Sequence, residues 1–405
     1  MENPFKDKID FGTLTITLIL TVIGIVSIYS ATYDAGASSY VHRQTLWAVA
    51  GIVCMIAVML IPFRTLQLLS YPVYGVCILL LAGVFIFGQK IAGSTSWFGV
   101  GGLGVQPSEI AKPATVLALA AYLSRRQTNL HRPKHVLVTF VLVLLPLALV
   151  LLQPDVGTAV IYAGMIIPVL YWAGASHFLL LALIAPALAA LASLFGTTPF
   201  LIVVVSVFVL LFLLRENRFV SAIVFSLTVF LGVSVQFIYG KLALHQQKRI
   251  GTFLNPEMDP LGAGYNVIQS KIAIGSGGML GKGYLEGTQT QLNFIPAQWT
   301  DFIFCVPGEE FGFLGASIII VLLVALLLRG IHIASVVKSN YASIVAIGVV
   351  AIFAVHIFIN IGMSMGLMPV IGVPLPFLSY GGSNLMTNMV MAGLLMNIYM
   401  NRKEY

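Results

Sequence analysis

Residues 11–30 read FGTLTITLILTVIGIVSIYS, twenty positions without a charge. A helix rises about 1.5 Å per residue, so this stretch matches the roughly 30 Å hydrocarbon core of a bilayer. It is also longer than the roughly 7–15 residue apolar core of a cleaved signal peptide. It therefore reads as a first membrane span. Working outward, similar stretches recur at 45–63, 66–88, 107–124, 136–153, 156–174, 177–195, 199–215, 219–239, 311–329, 341–365 and 384–400. Composition agrees. The 405 residues are 59% hydrophobic and only 9% charged, with a mean hydropathy of +0.99, whereas a soluble domain carries roughly 25% charged residues. The expected fold is all-α: a polytopic integral membrane bundle of about twelve transmembrane helices, forming one transmembrane domain over 1–405. Region 177–239 can be divided into three short spans or into fewer, tilted ones.

Short-loop Lys and Arg orient such a chain, because cytoplasmic loops retain them. With the N-terminus inside, alternation leaves thirteen on the inner side, from Lys6 and Lys8 to Arg402 and Lys403. The short outer loops hold only Arg43 and Lys90. Both termini are therefore expected in the cytoplasm. The net charge of +7 and pI of about 9.3 follow from these loops, and no nucleic-acid partner is implied. Cys54, Cys77 and Cys305 show neither a pairing pattern nor metal-ligand spacing, and the first two lie in apolar runs as core residues do.

Residues 240–310 break the apolar pattern, carrying eleven of the 35 charged residues in 71 positions. On this topology they form an extracytoplasmic loop, and structureless loops of that length are usually functional. Within it, Val267, Ile268, Ile272 and Ile274 flank Gln269 and Lys271, the pattern of a short interfacial helix. The run Gly275-Ser276-Gly277-Gly278 ends it.

Four polar clusters fall on the outer side. The first runs from Gly93 through Trp97 to Gln106-Pro107-Ser108-Glu109 and Lys112. Pro107 suits the first turn of a helix, and the helix dipole favours an anion at Glu109. Glu109 and Lys112, three apart, share a face. They are either an interfacial anchor pair with Trp97 as belt aromatic, or a polar site at a cavity mouth. The second cluster is Gln153-Pro154-Asp155, a turn or a site. The third surrounds Glu257 and Asp259, carboxylates that could be merely solvated. The fourth is Gly366 to Asn384, GLMPVIGVPLPFLSYGGSN. Three prolines and four glycines preclude a regular helix there, and such backbone is tolerated at membrane depth only inside protein or beside water. These features imply a polar cavity without choosing between transporter and enzyme.

Taken together and in order, WFGVGGLGVQPSEIAK, QPDVGTA, DPLGAGYNVIQSKIAIGSGGMLGKG, TDFIF with GEEFG, and NIGMSMGLMPVIGVPLPFLSYGGS resemble the SEDS family (shape, elongation, division and sporulation). Gly287-Thr288-Gln289 resembles its rod-elongation RodA branch more than its division FtsW branch. The resemblance implies a peptidoglycan glycosyltransferase of the bacterial cytoplasmic membrane, with its active face outside. Such enzymes polymerise lipid II, a disaccharide-pentapeptide on undecaprenyl diphosphate, into glycan strands during elongation and rod-shape maintenance. A class B penicillin-binding protein, the elongation machinery and membrane lipid are the implied partners. The family's essential aspartate falls on Asp259. Its cavity residues fall on Trp97, Glu109, Lys112 and Asp155. Family members usually have ten spans, so the excess here lies in 177–239.

The chemistry implied has two demands. A carboxylate must take the acceptor hydroxyl's proton, a role given to Asp259. Fixed cations must stabilise the departing diphosphate; Lys112, Lys248, Arg249, Lys271 and Lys282 are the candidates. Glu109 and Asp155 would hold Lys112 or contact sugar. A divalent cation at the diphosphate is compatible with this chemistry, but the sequence shows no dedicated ligand set. The rivals are a flippase of the lipid-linked precursor and a scaffold that only activates a partner. No internal repeat of the transporter type is visible.

Overall fold

The computed structural model describes residues 9–33, 38–91, 94–100, 103–214, 217–241, 251, 264–292 and 294–403. The chain begins with helices α1 (Phe11–Thr32), α2 (Ser38–Leu60) and α3 (Phe63–Phe87). Strands β1 (Gln89–Ile91), β2 (Ser94–Val100) and β3 (Leu103–Val105) follow. Next come α4 (Pro107–Leu123), α5 (Pro133–Leu152), α6 (Val156–Trp172), α7 (His177–Leu194), α8 (Thr197–Leu214) and α9 (Arg218–Lys241). After them stand three short helices, α10 (Tyr265–Ser276), α11 (Thr288–Gln291) and α12 (Cys305–Glu310). The chain closes with α13 (Gly312–Val336), α14 (Asn340–Ser364) and α15 (Gly382–Met400). Each of the twelve expected spans corresponds to one of the long helices. Among the described residues nine of these are long and apolar enough to cross a membrane, and α6 is a shorter apolar helix. Region 177–239 is three separate helices, the first two parted at Gly196, whose φ of +120° ends a helical path. The small antiparallel sheet β1-β2-β3 was not foreseen, because strands of three residues carry too little alternation to be read.

Two compact units emerge, Met1–Val169 with Asn266–Tyr405, and Leu170–Tyr265. In the second, Ala185, Val207, Leu211 and Val224 make the core of α7, α8 and α9. In the first, α4 is central and is buried on nearly every side. Its alanines (Ala111, Ala114, Ala118, Ala120, Ala121) let neighbours approach closely, as small residues do between membrane helices. Outer helices instead expose large apolar side chains, such as Leu68, Leu79 and Ile86 on α3, as lipid contact demands. One close approach matters for the site. A Cβ on Gly24 of α1 would lie 2.5 Å from the Phe377 carbonyl, so only glycine lets α1 meet the 366–381 segment.

Polar residues sort to the two ends of this unit. At one end Asp10 of the α1 start pairs with Arg329 of α13 and accepts from the Thr13 hydroxyl. Asn397 of α15 donates to the carbonyls of Val58 and Ile61 there. At the other end meet Ser30, Gln44, Gln106, Asp155, Glu310 and Ser383. Of the four outer clusters expected from charge, the first, second and fourth belong to this second end, and the third, around Glu257 and Asp259, lies outside the described residues.

Candidate active site

The site is organised around residues 366–381, which link α14 to α15 without regular structure. Prolines remove donors and fix φ, so beyond a turn in which the Leu378 and Ser379 amides donate to the Leu375 carbonyl, this backbone takes partners from other segments. His356 and Asn360, one turn apart on α14, supply two of them. Asn360 Nδ2 donates to the Val373 carbonyl at 2.7 Å. His356 Nδ1 lies 2.9 Å from the Pro374 carbonyl. A carbonyl only accepts, so Nδ1 carries the proton and Nε2 is left as an acceptor. Lys112 Nζ meets that nitrogen at 2.9 Å and Glu109 Oε2 at 2.8 Å. Asn384 Nδ2 donates to the same carboxylate oxygen at 3.2 Å, and Asn388 donates to Asn384 at 2.8 Å. Lys112 is 0% and Glu109 3% exposed. The pair is therefore no interfacial anchor. It is an internal ion pair that ties α4 through His356 to the 366–381 segment.

Asp155 stands beside this network as the cap of α6. Its carboxylate accepts from the Thr158 amide at 3.0 Å and hydroxyl at 2.8 Å, satisfying first-turn donors. It also accepts from Gln106 Nε2 at 3.0 Å. The Gln106 amide in turn donates to Ser383 Oγ, whose hydroxyl donates to the Gly104 carbonyl, both at 3.1 Å. Asp155 thus joins the starts of α4, α6 and α15. It does not hold Lys112. Trp97, half-buried on β2, packs over Gly104, where a Cβ would lie 2.8 Å from its ring.

The remaining candidates divide. Lys271 is exposed on α10, with its stem over Gly366. Lys282 is tied to Glu309 and to Thr288 Oγ1, each at 2.7 Å. Asp259, Lys248 and Arg249 lie outside the described residues. His356, Asn360 and Asn384 were missed as a group. An ionisable residue midway along a 25-residue apolar helix was the available signal for His356.

Glu309 and Glu310 clamp the loop before α12. Burial pushes the Glu309 carboxyl up, but the Gln289 amide, the Lys282 ammonium and the Thr290 amide outweigh it and hold it below the usual range. Glu310 is raised by burial despite the Ser30 hydroxyl, Gln291 and the Leu285 amide. A depressed carboxyl contributes stability above its unfolded value and loses it as pH falls through the folded one. Glu309→Gln is therefore expected to loosen residues 281–292 at neutral pH. Faster amide exchange at Gln289 and Thr290 would report it, and unchanged exchange would refute the clamp. In the unsubstituted protein the same protection should fade in acid.

Among the described residues no cluster of three or more His, Cys, Asp or Glu is placed to hold a metal ion.

The family model for the cell cycle proteins FtsW, RodA and SpoVE matches residues 11–200 and 183–404. The peptidoglycan glycosyltransferase RodA of Treponema pallidum is 37% identical over 96% of this chain and 97% of its own. The peptidoglycan glycosyltransferase MrdB of Escherichia coli is 36% identical over 99% and 98%. A solved chain from a peptidoglycan synthase complex that coordinates polymerization and crosslinking is 26% identical, with a TM-score of 0.73 over 98% of this chain and 99% of that one. The matches run nearly the full length of the chain, across the helices that carry Glu109, Lys112, Asp155 and His356, and the chain belongs to the FtsW, RodA and SpoVE family.

Proposed function

We propose that this chain is a peptidoglycan glycosyltransferase that polymerises lipid II into glycan strands at the outer face of the bacterial cytoplasmic membrane, with both termini inside. The observation that carries it is the buried Glu109–Lys112–His356 network, fixing irregular backbone at the polar end of a bundle. Full-length relatives named as peptidoglycan glycosyltransferases support the reaction class. The neighbour from a synthase complex supports a crosslinking partner, which we take to be a class B penicillin-binding protein of the elongation machinery.

In this reading the acceptor sugar hydroxyl attacks the anomeric carbon of a second lipid-linked chain. The bond from that carbon to the diphosphate oxygen breaks, and the diphosphate leaves with the electron pair. The hydroxyl proton passes to the Asp259 carboxylate. Lys271, exposed beside Gly366, is the described cation best placed to meet the diphosphate. Lys282 is held by Glu309, and Lys112 is spent inside the protein. Lys112 and Glu109 therefore position the 366–381 segment, while Asp155 locks three helix starts around it. Pre-set groups of this kind cost no reorganisation as charge develops. Trp97 and Gly104 wall the same end.

The whole chain forms one transmembrane domain in this proposal, with 240–310 as its extracytoplasmic loop. The test is purified protein with lipid II, alone and with its transpeptidase partner. Polymeric glycan is expected. Translocation of lipid II across vesicles without polymer would instead support a flippase.

A further inference from the structure

The TDFIF motif holds a carboxylate that the mechanism above leaves idle. We infer that Asp301 touches the lipid-linked saccharide, accepting hydrogen bonds from its sugar hydroxyl or amide groups beside residues 371–374; this rests on the polymerase reading. The backbone around it is fixed at successive carbonyls. The Tyr380 amide donates to Trp299 at 2.8 Å, Ser379 Oγ to Thr300 at 2.6 Å, and Asn360 Nδ2 to Asp301 at 2.9 Å. Its own amide donates to the Ala297 carbonyl at 3.2 Å.

The side chain is treated differently. Asp10, Glu109, Asp155, Glu309 and Glu310 are each bonded to a cation or to donors. The Asp301 carboxylate, half-buried, has no hydrogen bond or ion pair among the described residues. An acid withdrawn from water usually has a partner, so clamped backbone with open acceptor atoms marks a place made for something that arrives. Sugar hydroxyls and N-acetyl amides are donors of that kind.

Its position agrees. Oδ2 lies 3.7 Å from where a Cβ on Gly372 would stand, and Gly372 has a φ of +72°. The carbonyls of Ile371 and Gly372 abut Gly157, two residues after Asp155. Val373 and Pro374 are the anchors of Asn360 and His356. One four-residue stretch thus connects Asp301 to the candidate site. Burial pushes its carboxyl up to about 6, so it changes charge near neutrality, as functional carboxylates often do. Among the described residues the titratable groups on the elements around it include Lys271 on α10, Cys305 on α12, His356 on α14, Asp155 before α6 and Tyr380, which bonds Arg43; none of these pairs with Asp301.

The test is polymerisation by wild type, Asp301→Asn and Asp301→Glu with the partner present, over a range of lipid II concentrations and from pH 5 to 9. Loss of a hydrogen bond to a charged group predicts a KM raised about tenfold or more in Asp301→Asn. The wild-type decline in activity below about pH 6 should vanish from that variant's profile, because Asn cannot ionise. Asp301→Glu should recover part of the loss. A raised carboxyl value favours the folded state less as pH rises through it, so Asp301→Asn should melt no lower than wild type above pH 6. Wild-type KM and pH profile in Asp301→Asn would overturn the assignment alone. So would a loss of activity matched by a loss of melting temperature with the profile unchanged. An inactive wild type would overturn the polymerase reading and the assignment with it.

Discussion

Asp259→Asn is expected to lower glycan-strand formation about a thousandfold while leaving folded protein in the membrane. A positioned general base contributes roughly 10²–10⁴ in rate. Asn keeps the size and one acceptor oxygen of Asp but cannot take the hydroxyl proton, so the variant isolates that step. Binding of lipid II should survive, because the diphosphate and lipid are recognised by other groups. The expected signature is a collapsed kcat with little change in KM, since the interaction removed exists only in the transition state. Asp301→Asn should show the opposite split, so the two carboxylates can be told apart in one assay. Full polymerisation by Asp259→Asn would remove the assignment, and polymer formed only with the partner present would favour the scaffold class, in which the carboxylates are dispensable.

How far the molecule could be read before it was seen varies from element to element. Long helices were legible because lipid demands apolar side chains on every exposed face, and lipid-facing stretches such as 66–88 carry that demand in their composition. The 366–384 segment was legible because proline and glycine restrict backbone directly. The Glu109–Lys112 pair was legible because helical spacing alone brings the two together. Their depth was not, since α4 is covered not only by its neighbours α3 and α5 but also by α14 and α15, far along the chain. The same limit hid Lys282. Its partner Glu309 is 27 positions along the chain, and no local periodicity links them, so Lys282 looked free. His356 carried a signal as an ionisable residue in an apolar helix, but its role depends on Pro374 and Lys112 meeting its two ring nitrogens. Asp301 was quoted within a motif, yet its significance lies in having no partner among the described residues, a property that only three-dimensional neighbours define.

Lys112→Met is expected to lower stability by about 3–5 kcal/mol, the usual cost of stranding one member of a buried ion pair. Met nearly preserves the volume, so the loss reports the charge left on Glu109, which among the described residues would keep the Asn384 amide as its side-chain donor. Polymerisation should fall about a hundredfold in the fraction that folds, because His356 loses the group that holds its ring and the 366–381 segment loses a fixed point. Glu109→Gln alone should cost a similar amount by stranding Lys112. The double variant Glu109→Gln with Lys112→Met is the informative one. Replacing a buried ion pair with neutral groups of like shape is often close to neutral, so thermal unfolding in detergent should recover much of the lost stability. Activity should stay low, since His356 still lacks its ammonium. Strict additivity of the two single effects would mean that the carboxylate and ammonium do not act as a pair. Recovery of stability without recovery of polymerisation would separate the two duties of Lys112, neutralising Glu109 within α4 and holding the imidazole that secures Pro374.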